Sequence, residues 1–214
     1  MEVDFVGHPL LDAIDTTENE ATDKPLVALL PGSRQQEISR MLPVMLKMGA
    51  RFPQFRFVIA GAPSQKEAFY QGLIGDLAVE LRMGATYSVL READYALVTS
   101  GTATLETALH SVPEVVCYTG NPLSYAIGKR LVQVKFISLV NLILDRAAVK
   151  ELIQHDFTEE KLAQALMDLT QPDTQERLAA DYQQLRMKLG DKGASSRAAQ
   201  VILTDLGKEA EVPA

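Results

Sequence analysis

With 214 residues, 47% of them hydrophobic, the chain is long enough to bury a core in one generous domain or a domain plus appendages. Its net charge of −7 excludes a general nucleic-acid surface, because phosphate backbones select for clustered lysine and arginine. The N-terminus "MEVDFVGHPLLDAI" lacks the basic start and apolar block of a secretory signal, and no apolar run is long enough to span a bilayer, so a soluble, cytoplasmic protein is expected.

Residues 1–25 read as an interdomain segment, with "DTTENEATDK" (15–24) polar, acidic and without periodicity. Apolar β-type runs follow at "LVALLP" (26–31), "FRFVIAGAP" (55–63), "YALVTS" (95–100) and "PEVVCYT" (113–119), and "VELRMG" (79–84) is a weaker candidate. Helix-period stretches separate them. The first opens at "PGSRQQEI", where Ser33 and Gln36 form a capping-box pattern, and Pro43 is expected to bend it or delay its start. Strands apolar nearly throughout, alternating with helices, predict an α/β domain with a doubly wound parallel sheet over residues 26–145. From 146 to 206 the pattern reads as C-terminal helices only, including "AAVKELIQ", and 207–214 as a frayed tail. The single cysteine, Cys117, reads as buried core filler.

In an open parallel sheet, ligands bind beyond the carboxyl ends of the strands, where unpaired helix N–H groups converge. Two such corners stand out. At "LLPGSRQQE", Gly32 permits a tight turn and Ser33 caps, but Arg34 sets a guanidinium at the positive end of a helix dipole. That placement costs about 0.3–1 kcal/mol unless an anion lies near. Pairing with Glu37 or exposure to water explains Arg34 equally well. At "TSGTATLE", Ser100, Gly101, Thr102 and Thr104 leave room for backbone N–H groups to reach an oxyanion, and Glu106 could accept from ribose hydroxyls. Plain N-capping by Ser100 or Thr102 is the simpler account of that pattern.

The segment 122–145 combines an apolar helical face with Lys129, Arg130 and Lys135, which suits either anionic headgroups or a solvated face. Asn141, amid apolar neighbours, either closes a structural network or reads a ligand. His8, His110 and His155 are widely separated, so no metal site is predicted.

Together, "VGHPLLD", "LLPGSRQQEI", "ADYALVTSGTATLETAL", "PEVVCY", "KRLVQVKFISLVNLI" and "VKELIQ" resemble, in order, the carboxyl-terminal half of the lipid-A-disaccharide synthase family. The resemblance implies a Rossmann-like half of a GT-B-type inverting glycosyltransferase. Such enzymes join UDP-2,3-diacylglucosamine to 2,3-diacylglucosamine 1-phosphate, in lipid A biosynthesis, and release UDP, with no separate cofactor. It implies catalytic roles for Arg34 and Asn141, diphosphate contacts from Ser100, Gly101, Thr102 and Thr104, and a ribose contact from Glu106, with Gly32 and Ser33 in the same nucleotide-binding set. Lys129, Arg130 and Lys135 would face the acceptor or membrane, at the cytoplasmic side of the inner membrane. Where the family pattern has Pro and then Ala-Gly around the asparagine, this chain has Val140 and "LD" (144–145), substitutions expected to disturb the loop.

The resemblance starts in the middle of the family's chain. It therefore implies a fragment lacking the acceptor-side half and the catalytic base, inactive alone, and it leaves open a homodimer. Two readings compete: half of a UDP-sugar epimerase of the same architecture, and a non-catalytic nucleotide-binding module.

Overall fold

The computed structural model describes residues 3–14, 24–120 and 135–206. Lys129 and Arg130 fall outside the described residues, as do most of the acidic stretch and the tail. Six parallel strands, in the order β3-β2-β1-β4-β5-β6, form one sheet. They are β1 (Leu26–Leu30), β2 (Arg56–Gly61), β3 (Glu80–Met83), β4 (Tyr95–Thr99), β5 (Glu114–Tyr118) and β6 (Lys150–Ile153). The helices among them are α2 (Gln35–Arg51), α3 (Glu67–Ile74), α4 (Thr86–Glu92), α5 (Thr102–Leu109) and α6 (Leu139–Leu144). The short α1 (Leu10–Ala13) precedes the sheet, and α7 (Glu159–Leu169), α8 (Pro172–Leu189) and α9 (Ala194–Asp205) follow it.

The continuous apolar runs are explained by two covered faces. Along β1, Val27 and Leu29 join a large core with Ile38, Met41 and Met45 of α2, while Leu26, Ala28 and Leu30 face a smaller cluster with Val89 and Leu90 of α4. Every β1 residue is buried, so alternation between faces is invisible in the sequence. Cys117 is buried in β5, as expected of core filler, and burial pushes its thiol pKa up.

Three local readings change. The helix α2 runs through Pro43 instead of starting after it, and its N-cap is Arg34, with no capping bond from Ser33. "KELI" is a strand, not a helix: β6 pairs with β5 from Val115↔Lys150 to Tyr118↔Ile153, carrying the sheet past residue 145. A four-residue edge strand with two charged residues gives too short a pattern to read, and its stabilisation comes from pairing with a distant partner. Asp145 adopts the left-handed conformation (φ 51°, ψ 35°) at the end of α6, the geometry a glycine would take there. Aspartate is among the few side chains that tolerate it, so this substitution preserves the turn.

Glu114 opens β5 fully buried, and neither carboxylate oxygen has a hydrogen-bond partner. Residues 3–14 are fastened to α9: Asp12 accepts from the N–H groups of Gly193 and Ser195 and from the Ser195 hydroxyl. The Arg197 guanidinium donates to the carbonyls of Val6, Lys192 and Asp191.

Candidate functional site

The strand order reverses between β1 and β4, which pair in parallel with Leu30 opposite Val98. Both strands then lead into helices, α2 and α5, opening the crevice where open α/β sheets bind ligands. One cavity of about 370 Å³ is lined from both corners: Gly32, Ser33, Arg34 and Glu37 from the first, Ser100, Gly101, Thr102 and Glu106 from the second. Ala62 and Pro63, beyond β2, and Thr86, which starts α4, close its remaining sides. A second space of about 720 Å³ adjoins it through Arg34 and Glu37, and reaches Arg40, Thr119 and Gly120.

At the first corner Gly32 has φ 108°, and a Cβ there would meet Glu37 Oε2 at 2.9 Å and the Thr99 methyl at 3.1 Å. Only glycine fits. The Ser33 carbonyl accepts from the Gln65 amide at 2.8 Å and the Ser64 hydroxyl at 3.3 Å, so the loop after β2 braces the turn. Arg34 is 82% exposed and pairs with Glu37 at 2.9 Å. So exposed a pair is worth only about 0–1 kcal/mol, and an arriving anion can draw the guanidinium away.

At the second corner the N-cap of α5 is Gly101 (φ 148°, ψ −161°), not Ser100 or Thr102, and no side chain caps the helix. A Cβ on Gly101 would have open space around it, so its special value is conformational. Among the described residues the N–H groups of Thr102 and Ala103 have no partner, and they sit at the positive end of the α5 dipole. Ser100 donates its hydroxyl to the Ile137 carbonyl at 2.8 Å. Thr104 differs from the expectation: it is buried, and its hydroxyl donates to the Gly101 carbonyl at 2.8 Å, inside the turn.

Glu106 lies half-buried at the cavity wall, and burial pushes its carboxyl pKa up while the Tyr87 hydroxyl, donating at 3.2 Å, partly offsets that. His110, at the end of α5, is held below its usual pKa by burial and by Arg91 and Arg186.

Asn141 closes a structural network. Its amide nitrogen donates to the Val149 carbonyl and to Glu151 Oε1, each at 2.9 Å, and its oxygen accepts from the Val149 N–H at 2.9 Å. Glu151 also accepts from the Ile137 and Ser138 N–H groups and the Ser138 hydroxyl. Asn141 therefore reaches the cavity only indirectly, through the Ile137 carbonyl that Ser100 grips. Lys135, the described member of the basic cluster, is exposed and lies 3.6 Å from Asp145.

Sequence reasoning missed Tyr87, Glu151 and the Ser64–Gln65 brace. None falls in a pattern with chemistry of its own; each matters through a contact across elements. Among the described residues no group of three or more His, Cys, Asp or Glu is placed to hold a metal ion, and no helix is long and apolar enough to cross a membrane.

Solved structures with the same fold include a putative UDP-N-acetylglucosamine 2-epimerase from Listeria monocytogenes, with TM-score 0.62 and 14% identity over 98% of this chain and 55% of that one. The glycotransferase of kitacinnamycin follows, with TM-score 0.55 and 19% identity over 89% of this chain and 46% of that one. Both likenesses concern the Rossmann-like fold of one half of a longer chain. Sequence similarity goes further. The lipid-A-disaccharide synthase of Syntrophus aciditrophicus is 40% identical over 97% of this chain and 59% of its own length. That of Idiomarina loihiensis is 40% identical over 89% of this chain and 55% of its own. Thus the chain spans less than two thirds of the length of these curated relatives. A sequence profile described as lipid-A-disaccharide synthetase matches residues 1–204. With that match over nearly its whole length, and with such relatives, the chain belongs to the lipid-A-disaccharide synthase family.

Proposed function

We propose that this chain is the UDP-holding half of a glycosyltransferase of lipid A biosynthesis. Its donor would be UDP-2,3-diacylglucosamine and its acceptor 2,3-diacylglucosamine 1-phosphate. The observation that carries the reading is that one cavity is bounded by Arg34 on one side and the uncapped start of α5 on the other. A diphosphate there would take hydrogen bonds from the Thr102 and Ala103 N–H groups and charge from Arg34. Donors aimed at the leaving diphosphate stabilise the negative charge that grows on it as the glycosidic bond breaks. Glu106, across the same cavity, would accept from the ribose.

Family membership favours transfer over epimerisation. The acceptor side and its proton-accepting group would come from the remaining length that the relatives possess, so the isolated chain would bind UDP without making disaccharide. Lys129, Arg130 and Lys135 would contact anionic headgroups at the cytoplasmic face of the inner membrane, where both acylated substrates reside. Calorimetry with UDP, UMP and ADP tests the core of the reading. UDP is expected to bind most tightly, with Arg34→Ala and Glu106→Ala each weakening it about tenfold or more. Absence of uridine-nucleotide binding by the folded chain would refute it. Replacing the three basic residues by Glu is expected to abolish association with anionic liposomes; unchanged association would remove the membrane role.

A further inference from the structure

The Glu106 carboxylate has one partner and one open side. Its Oε1 accepts from the Tyr87 hydroxyl, and no other described side chain bonds to it. The two residues come from α5 and α4, helices that begin at neighbouring corners of the same cavity. Tyr87 is itself fixed by packing. Its ring lies against the His110 imidazole, with centroids 5.6 Å apart and planes at 48°, and packs on the main core. Because His110 ends the helix that carries Glu106, α4 and α5 are joined twice, by ring contact and by hydrogen bond. A glutamate has three side-chain torsions and, left free above a cleft, samples many rotamers. A packed phenol donor selects among them.

We propose that Tyr87 is a positioning residue whose hydroxyl holds Glu106 in the rotamer that offers Oε2 to the vicinal hydroxyls of a nucleoside ribose. This rests on the nucleotide reading of the cleft. A carboxylate recognises a diol by accepting from it, so a 2′-deoxy ligand forfeits part of the contact. Tyr87 thereby sets how strongly the site prefers ribonucleotides, although it lies behind the residue that touches the ligand.

The test is calorimetry on the full 214-residue chain with UDP and 2′-deoxy-UDP as probes. Tyr87→Phe keeps the ring and its packing on His110 while deleting the donor. It is expected to weaken UDP about five- to tenfold and 2′-deoxy-UDP less than about twofold, so the preference between them shrinks. Glu106→Gln and Glu106→Asp, the latter too short to reach the phenol, should shrink it as much or more. Tyr87→Phe in the Glu106→Gln background should add nothing. Thermal midpoints verify folding, and Glu106→Asp probes the same hydrogen bond should Tyr87→Phe fail to fold. Equal weakening of both ligands by Tyr87→Phe, or an unchanged preference while Glu106→Gln contracts it, overturns the role of Tyr87 and leaves the nucleotide site standing. No UDP binding by the unmodified chain, or a preference untouched by Glu106→Gln, overturns the ribose assignment and this inference with it.

Discussion

Replacing Glu114 is expected to change how stability depends on pH, not merely its level. Glu114 is fully buried, with neither carboxylate oxygen hydrogen-bonded, and burial raises its pKa well above the usual 4.5. It is therefore neutral in the native state through a pH range in which the unfolded chain has already lost that proton. The unfolded state then binds fewer protons than the native one, so this residue lowers stability as pH rises above 4.5, by about 1.4 kcal/mol per pH unit for a single proton. The decline ends at the native pKa, where the curve flattens. Glu114→Gln removes the titration with little change of volume. Urea unfolding of both proteins between pH 4 and 8 should show the variant gaining on the parent at about that slope once the pH passes 4.5, until the native carboxyl titrates. For a domain of this size each 1 kcal/mol corresponds to about 2–4 °C in Tm. Two parallel curves with a constant offset would refute the reasoning, because Glu114 would then titrate alike in both states.

Asn141→Ala removes three hydrogen bonds and leaves the buried Val149 N–H and carbonyl without their partner, so a loss of about 2–5 kcal/mol is expected by denaturant titration. Unchanged stability with lost UDP binding would instead make Asn141 a ligand contact. Thr104→Val should cost about 1 kcal/mol and leave UDP affinity within about twofold, since its hydroxyl is spent on Gly101. A large affinity loss without destabilisation would contradict that placement. Gly32→Ala forces a Cβ against Glu37 and Thr99 in a left-handed turn, and should destabilise by about 1–3 kcal/mol in the same assay. An unaffected Gly32→Ala protein would mean the turn can rearrange.

Residue patterns carried most of the sheet. The runs at 26–31, 55–63, 95–100 and 113–119 are apolar almost throughout because helices cover both faces, and "VELRMG" proved to hold the edge strand β3. The other edge, β6, escaped notice because Lys150 and Glu151 point its composition toward a solvated helix; pairing with β5 decides otherwise. The meeting of Arg34 with the 100–106 turn was legible from topology alone, since doubly wound sheets place successive strand ends along one edge. What side chains do at those corners was not. Thr102 and Thr104 read identically in sequence, yet one is exposed and the other is buried with its hydroxyl turned onto Gly101. Asn141 was rightly seen as needing partners, but those partners arise from a strand that sequence reasoning had not placed.

The fastening of residues 3–14 to α9 has a bearing on how the molecule would come apart. Ser195 and Asp12 are separated by 183 positions, and within α9 only Ala194 is buried. The last helix is thus held mainly by polar clasps to the first described segment and its own approach, not by apolar packing. Residues 3–14 and α9 should open as one cooperative unit, ahead of the sheet. A deletion beginning at residue 194 would be registered at Val6 and Asp12, far away along the sequence, before it disturbed any strand.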